Sequence, residues 1–137
     1  MKSLFVLTSL ALAGTAALAA DLTPGQLAAA QRVFLGDAQC DMKQSVSLRA
    51  VDGRPGHFEL HHNKARYTLV PEETQTGAVR LEDRQAGIVW LQIPAKSMLL
   101  NAKLGQRVAD NCMHAEQVAA SKGSSAGAGI GIAGVAR

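Results

Sequence analysis

The sequence predicts a small antiparallel all-β barrel of about seven to eight strands, closed by one disulfide and preceded by a short helix. Three observations carry this. Short alternating apolar stretches recur between residues 45 and 112, separated by turn chemistry such as Asp52-Gly53-Arg54-Pro55-Gly56. The chain has two cysteines, Cys40 and Cys112, one at each end of that region. Thr23-Pro24-Gly25-Gln26 has the residues of a capping box with Pro at the first helical position.

The chain begins MKSLFVLTSLALAGTAALAAD. A single Lys, an apolar stretch from Leu4 to Leu18 and the small-x-small site Ala17-Leu18-Ala19 define a secretory signal peptide over 1–19. Cleavage is expected after Ala19 or Ala20. No Cys lies near that point, which disfavours a lipid anchor, and no later segment is long enough to span a bilayer. The expected location is periplasmic or secreted. Loss of the signal removes Lys2 and leaves 13 basic and 11 acidic residues, too small a bias for nucleic-acid binding.

Residues 20–37 read as helix and linker. Leu27, Ala30 and Phe34 fall on one helical face, and Gly36 can end the helix. A disordered N-terminus is the alternative. Residues 38–118 read as the barrel. Val46, Leu48 and Ala50 alternate with Ser45, Ser47 and Arg49, and Phe58 and Leu60 alternate with His57, Glu59 and His61. Tyr67 and Leu69 form a third stretch, Val79 and Leu81 a fourth. Ile88 to Ile93 is nearly continuous in apolar residues and carries Trp90, so it should be covered on both faces. Pro94 should end that strand or sit on an edge. Lys96 to Leu100 and Gln106 to Cys112 complete the set. The Gly/Ala-rich residues 119–137 read as a flexible tail.

In an exported chain a cysteine pair is most simply a disulfide, here spanning 71 residues. The chain-entropy account gives roughly 4 kcal/mol for a loop of that size. Two free thiols are the alternative. No CxxC pair is present.

His57 and His61 share a strand face, with their backbones roughly 13 Å apart, and His62 points the other way. That spacing does not build a metal site, and no Cys/His set supplies the missing ligands. The acidic pairs Glu72-Glu73 and Glu82-Asp83 read as surface charge. No GxSxG, phosphate-loop or HExxH motif occurs. The sequence therefore reads as a non-enzymatic module, with no metal or cofactor expected.

One stretch, TQTGAVRLED over 74–83, places Thr76-Gly77-Ala78 directly before an alternating strand. A Cys near the start, the Tyr67-x-Leu69 strand, this small-hydroxyl–Gly–Ala motif, the Trp90 strand and a C-terminal Cys resemble the bacterial membrane-bound and periplasmic inhibitors of c-type lysozyme. The resemblance covers Cys40 to Cys112. The family's signature continues with a basic residue and Tyr where this chain has Val79 and Arg80. Its Trp motif continues with Lys-Gly where this chain has Leu91, Gln92 and Ile93. The resemblance implies an antiparallel barrel of about eight strands whose loops plug the lysozyme cleft. It carries that role onto Thr76, Gly77 and Ala78. Lys96 is added on chemical grounds, because a loop that blocks two carboxylates needs a cation beside its hydroxyl. The alternatives are a plain turn at Gly77 and a non-catalytic envelope-binding or structural module of other specificity.

Overall fold

The computed structural model describes residues 21–128, so the signal sequence and its cleavage site, together with residues 129–137, lie outside the described residues. Eight strands follow one another in a single antiparallel meander: β1 (Gly36–Gln39), β2 (Ser45–Ala50), β3 (Phe58–His62), β4 (Ala65–Glu72), β5 (Val79–Asp83), β6 (Ile88–Gln92), β7 (Ser97–Asn101) and β8 (Gln106–Cys112). The meander closes where Gln39 and Met113 exchange backbone hydrogen bonds of 3.1 and 2.9 Å. Helix α1 (Pro24–Ala30) precedes the barrel and α2 (Ala115–Ala128) follows it. Among the described residues no helix is long and apolar enough to cross a membrane.

The alternation in the sequence becomes the inside and outside of the wall. Leu81, Trp90, Leu99 and Ala109 form one cross-strand row through the registers of β5 to β8, and all four are buried. Leu48 and Leu60 are paired on the opposite wall, with Val46, Phe58 and Leu69 packed around them. Trp90 is fully buried and fills the centre. Truncating one of these leucines to Ala costs about 2–5 kcal/mol, because the surrounding walls cannot collapse onto the cavity. Val89 is also buried, as the apolar 88–93 stretch requires.

Cys40 and Cys112 are joined by a disulfide beside the closing bridge. The expected pairing is therefore present, and it locks the first strand to the last.

Three boundaries differ from the sequence expectation. Helix α1 keeps its capping box, with Gln26 N–H donating to Thr23 Oγ1 at 3.1 Å and Thr23 N–H to Gln26 Oε1 at 2.8 Å. It ends at Ala30 rather than near Gly36, because the buried Gln92 side chain captures the next segment. Gln92 Nε2 donates to Arg32 O, and Phe34 N–H donates to Gln92 Oε1, each at 2.8 Å. Gly36, with φ +99°, instead opens the four-residue strand β1, whose first two residues the sequence reading places in the linker. The chain from Ala115 to Ala128 is helical, where a flexible tail was expected from residue 119. Gln117 anchors this helix. Its Oε1 accepts from His114 N–H at 2.9 Å, and its Nε2 donates to Ile93 O at 2.9 Å and Ser97 Oγ at 3.0 Å.

Candidate functional site at the barrel rim

The strand order brings the β4–β5 and β6–β7 connections to the same end of the barrel. Thr76, Gly77 and Ala78 lie in the first. Thr76 and Gly77 are exposed and Ala78 is half-buried. The loop is braced from within, since Thr74 Oγ1 donates to Ala78 O at 2.6 Å and Ala78 N–H reaches Thr76 Oγ1 at 3.4 Å. Gly77 has φ +78°, and a Cβ built there meets nothing within 4 Å. Backbone conformation, not crowding, is therefore what requires glycine.

Arg32 completes this loop, and nothing in the sequence marked it. It is exposed, and its Nη1 donates to Gly77 O at 2.7 Å. Among the described residues it forms no ion pair. Gln92 holds the Arg32 backbone in place, so a guanidinium stands beside the Thr-Gly turn without being neutralised. A groove of about 400 Å³ opens there, lined by Arg32, Phe34, Gly77, Ile93, Pro94 and Glu116. The β4–β5 loop, the β6–β7 connection and α2 thus meet around one concave surface.

Lys96 is placed differently from the expectation. Its Nζ donates to Asp110 Oδ1 at 3.1 Å and to Asn111 Oδ1 at 2.9 Å. Asn111 Nδ2 in turn donates to Asp41 Oδ2 at 2.6 Å, and Arg107 Nη1 donates to Asp110 Oδ2 at 2.7 Å. Lys96 thus braces the disulfide seam. The Asn111 N–H, then Lys96 and Arg107, hold the Asp110 carboxyl below its usual pKa.

The histidines divide between outside and inside. His57 Nδ1 lies 3.2 Å from Pro55 O, and His61 pairs with Glu59, whose carboxyl this contact holds below its usual pKa. His62 is buried, with Nε2 at 2.8 Å from Gln44 Oε1. His114 is buried between Phe34 and Trp90, at ring-centroid distances of 6.1 and 5.9 Å. Neither ring nitrogen of His114 has a hydrogen-bond partner among the described residues. Burial pushes the pKa of both His62 and His114 below the ordinary imidazole value. No group of three or more metal-ligating side chains comes together among the described residues.

The fold and rim define a disulfide-closed, eight-stranded antiparallel barrel whose interior is filled and whose loops form a braced, grooved end. No protein-family model, curated protein or solved structure matches the chain.

Proposed function

We propose that this protein is an exported inhibitor that blocks the active-site cleft of c-type lysozyme with its Thr76-Gly77-Ala78 loop. The observation that carries the reading is the convergence of that loop, the connection following the Trp90 strand, and Arg32 on one groove. A retaining glycosidase works with two carboxyl groups, one ionised and one protonated. Thr76 supplies a hydroxyl for the protonated group, and Arg32 supplies a cation of fixed position for the ionised one. Gly77 lets the backbone approach without a side chain. Arg32 takes the part that Lys96 fills in the sequence reading.

The second reading, a binding module for another envelope component, is favoured by the engagement of Lys96 and by the departures at Val79, Arg80 and Ile93. A lysozyme activity assay with the mature chain separates the two. Inhibition at micromolar protein or below is expected. Gly77→Val should weaken it at least tenfold, because a β-branched residue is disfavoured at φ +78° and reshapes the loop. Unchanged lysozyme activity at micromolar excess of the wild-type chain rules out the inhibitor.

A further inference from the structure

Strand alternation gives the β5–β8 wall an inner side and an outer face. Trp90 and Leu99 point into the core, so their neighbours Val89, Leu91, Met98 and Leu100 point outwards. The register pairs Val89 with Leu100 and Leu91 with Met98, which makes an apolar quartet on the outside of the barrel. A groove of about 390 Å³ opens on this face over Val89, Leu100 and Ala102, between Arg80 and Arg107. No helix residue lines it. Strand β6 is therefore apolar on both sides, as a strand between two packed layers is, yet in one copy of the chain its outer side meets only the side chains of neighbouring strands and turn. An apolar patch with a polar rim marks an interaction surface.

The charges around the quartet say what fits over it. Glu82 is registered with Val89, Val89 with Leu100, and Leu100 with Arg107. One row across the wall thus runs from a carboxylate through two apolar residues to a guanidinium. The next row begins with a cation, Arg80, registered with Leu91, which is registered with Met98. The pairs Leu99–Ala109 and Ser97–Cys112 bracket Met98 against the part of β8 that carries Asp110, so this row ends in a carboxylate. The two rows have opposite polarity. Each flank is neutral in itself, with Arg80 Nη2 at 3.3 Å from Glu82 Oε2 and Arg107 Nη1 at 2.7 Å from Asp110 Oδ2. A polyanion or an acidic surface selects a face of one sign. A second copy of this chain, laid face to face and turned about an axis along the strands, reverses each row. Glu82 then lies over Arg107 of the other copy and Arg80 over its Asp110, so opposite charges meet on both flanks.

We infer that the outer face of β5–β8 is the interface of a two-fold homodimer, with the Val89, Leu91, Met98 and Leu100 quartets packed against each other and the Glu82–Arg107 and Arg80–Asp110 contacts made between copies. A two-fold contact uses the same patch on both copies, so the patch must complement itself, and the reversed polarity of the two rows meets that condition. Two sheets stacked face to face stand about 10 Å apart, close enough for side chains of this length to interdigitate. The face lies on the barrel wall and does not use the Thr76-Gly77 loop, so the inference stands apart from the inhibitor reading.

Sedimentation equilibrium of the mature chain tests it, and a concentration-dependent dimer is expected. Glu82→Arg alone and Arg107→Glu alone should each weaken self-association about tenfold or more, because each sets like charges against each other at both ends of the paired rows. An equimolar mixture of the two variants should associate again, since in the mixed pair both of these contacts join opposite charges. Leu100→Glu, which places a charge on the quartet, should abolish the dimer. Circular dichroism should show all three variants folded, and an association lost through misfolding is not repaired by mixing. A wild-type chain that stays monomeric at high concentration overturns the inference, including a monomer whose groove instead takes up palmitate. A dimer that Leu100→Glu leaves intact, or that mixing the two charge variants fails to restore, overturns it as well.

Discussion

Acidification from pH 7.5 to 5.0 should destabilise this barrel through two buried histidines, well before its carboxylates begin to titrate. His114 is about 1% exposed and His62 about 8%. His114 packs edge-on against Trp90, with an interplanar angle of 86°, and its ring nitrogens lack partners. Charging it places a cation among Phe34 and Trp90. Glu116 and Asp37, with Gln117 and the Gly36 backbone beside the ring, offset that cost only in part. For His62 burial alone sets the direction.

Both histidines therefore have folded-state pKa values below the unfolded value of about 6.5. Below about pH 6.5 the unfolded chain binds protons that the folded chain refuses, so stability falls as pH falls. The contribution is fully present above that pH and is lost down to each folded-state pKa. Within that window each histidine gives a slope of up to about 1.4 kcal/mol per pH unit, and the two together up to about 2.7. Asp110 and Glu59, whose pKa values are lowered, also lose stability on acidification, but only from about pH 4 downwards. The histidine window opens first as pH falls. Urea unfolding followed by the fluorescence of Trp90, the single tryptophan of the chain, reads the effect beside His114 itself. His114→Phe should remove about half of the slope between pH 6.5 and 5.0. Stability that is flat over that range, or a slope unchanged in the variant, refutes the argument.

Two other outcomes follow from the seam. Replacing Cys40 and Cys112 together by Ser should cost about 2–5 kcal/mol, measured by urea unfolding, and non-reduced peptide mapping of the wild type should recover the Cys40–Cys112 link. Lys96→Ala should cost no more than about 1 kcal/mol, because its ion pair with Asp110 is partly exposed; it should change lysozyme inhibition less than Arg32→Ala does in the same assay.

The fold was legible wherever a residue's own chemistry decides local structure. The capping residues Thr23 and Gln26, the turn glycines Gly53, Gly56 and Gly87, and the alternation around Val46, Phe58 and Leu81 need no distant partner to be read. Strand β1 was not legible, because its four residues bury only Ala38 and its closure depends on Met113, far along the chain. Helix α2 was hidden for a related reason. Its sequence is rich in small residues, and its anchor is a polar side chain, Gln117, whose partners Ile93 and Ser97 lie on other elements. The candidate site divides along the same line. Thr76 and Gly77 announce a turn by residue type alone. The part played by Arg32 depends on Gln92 holding its backbone, and the binding of Lys96 to Asp110 and Asn111 depends on how the sheet closes.

These placements bear on where such a barrel can act. An eight-stranded barrel either fills its interior with side chains or encloses a small ligand. Here Trp90 and leucines from β2 to β7 occupy the interior, and the grooves among the described residues lie on the outside and at the rim. A surface for recognition is therefore offered by the loops, and loops recognise well only if they are held. Gln92 and Gln117 supply that support, tying the Arg32 segment, the β6–β7 connection and α2 together through buried amides that satisfy backbone groups on each side. Burying a polar side chain in this way is costly unless every bond is made, and making them fixes one arrangement of the rim. A protein whose task was only to be a stable wall could use leucine at both positions. The amides at 92 and 117 order the surface beside Gly77 in advance, and ordering done in advance is not charged against affinity in any binding event at that rim.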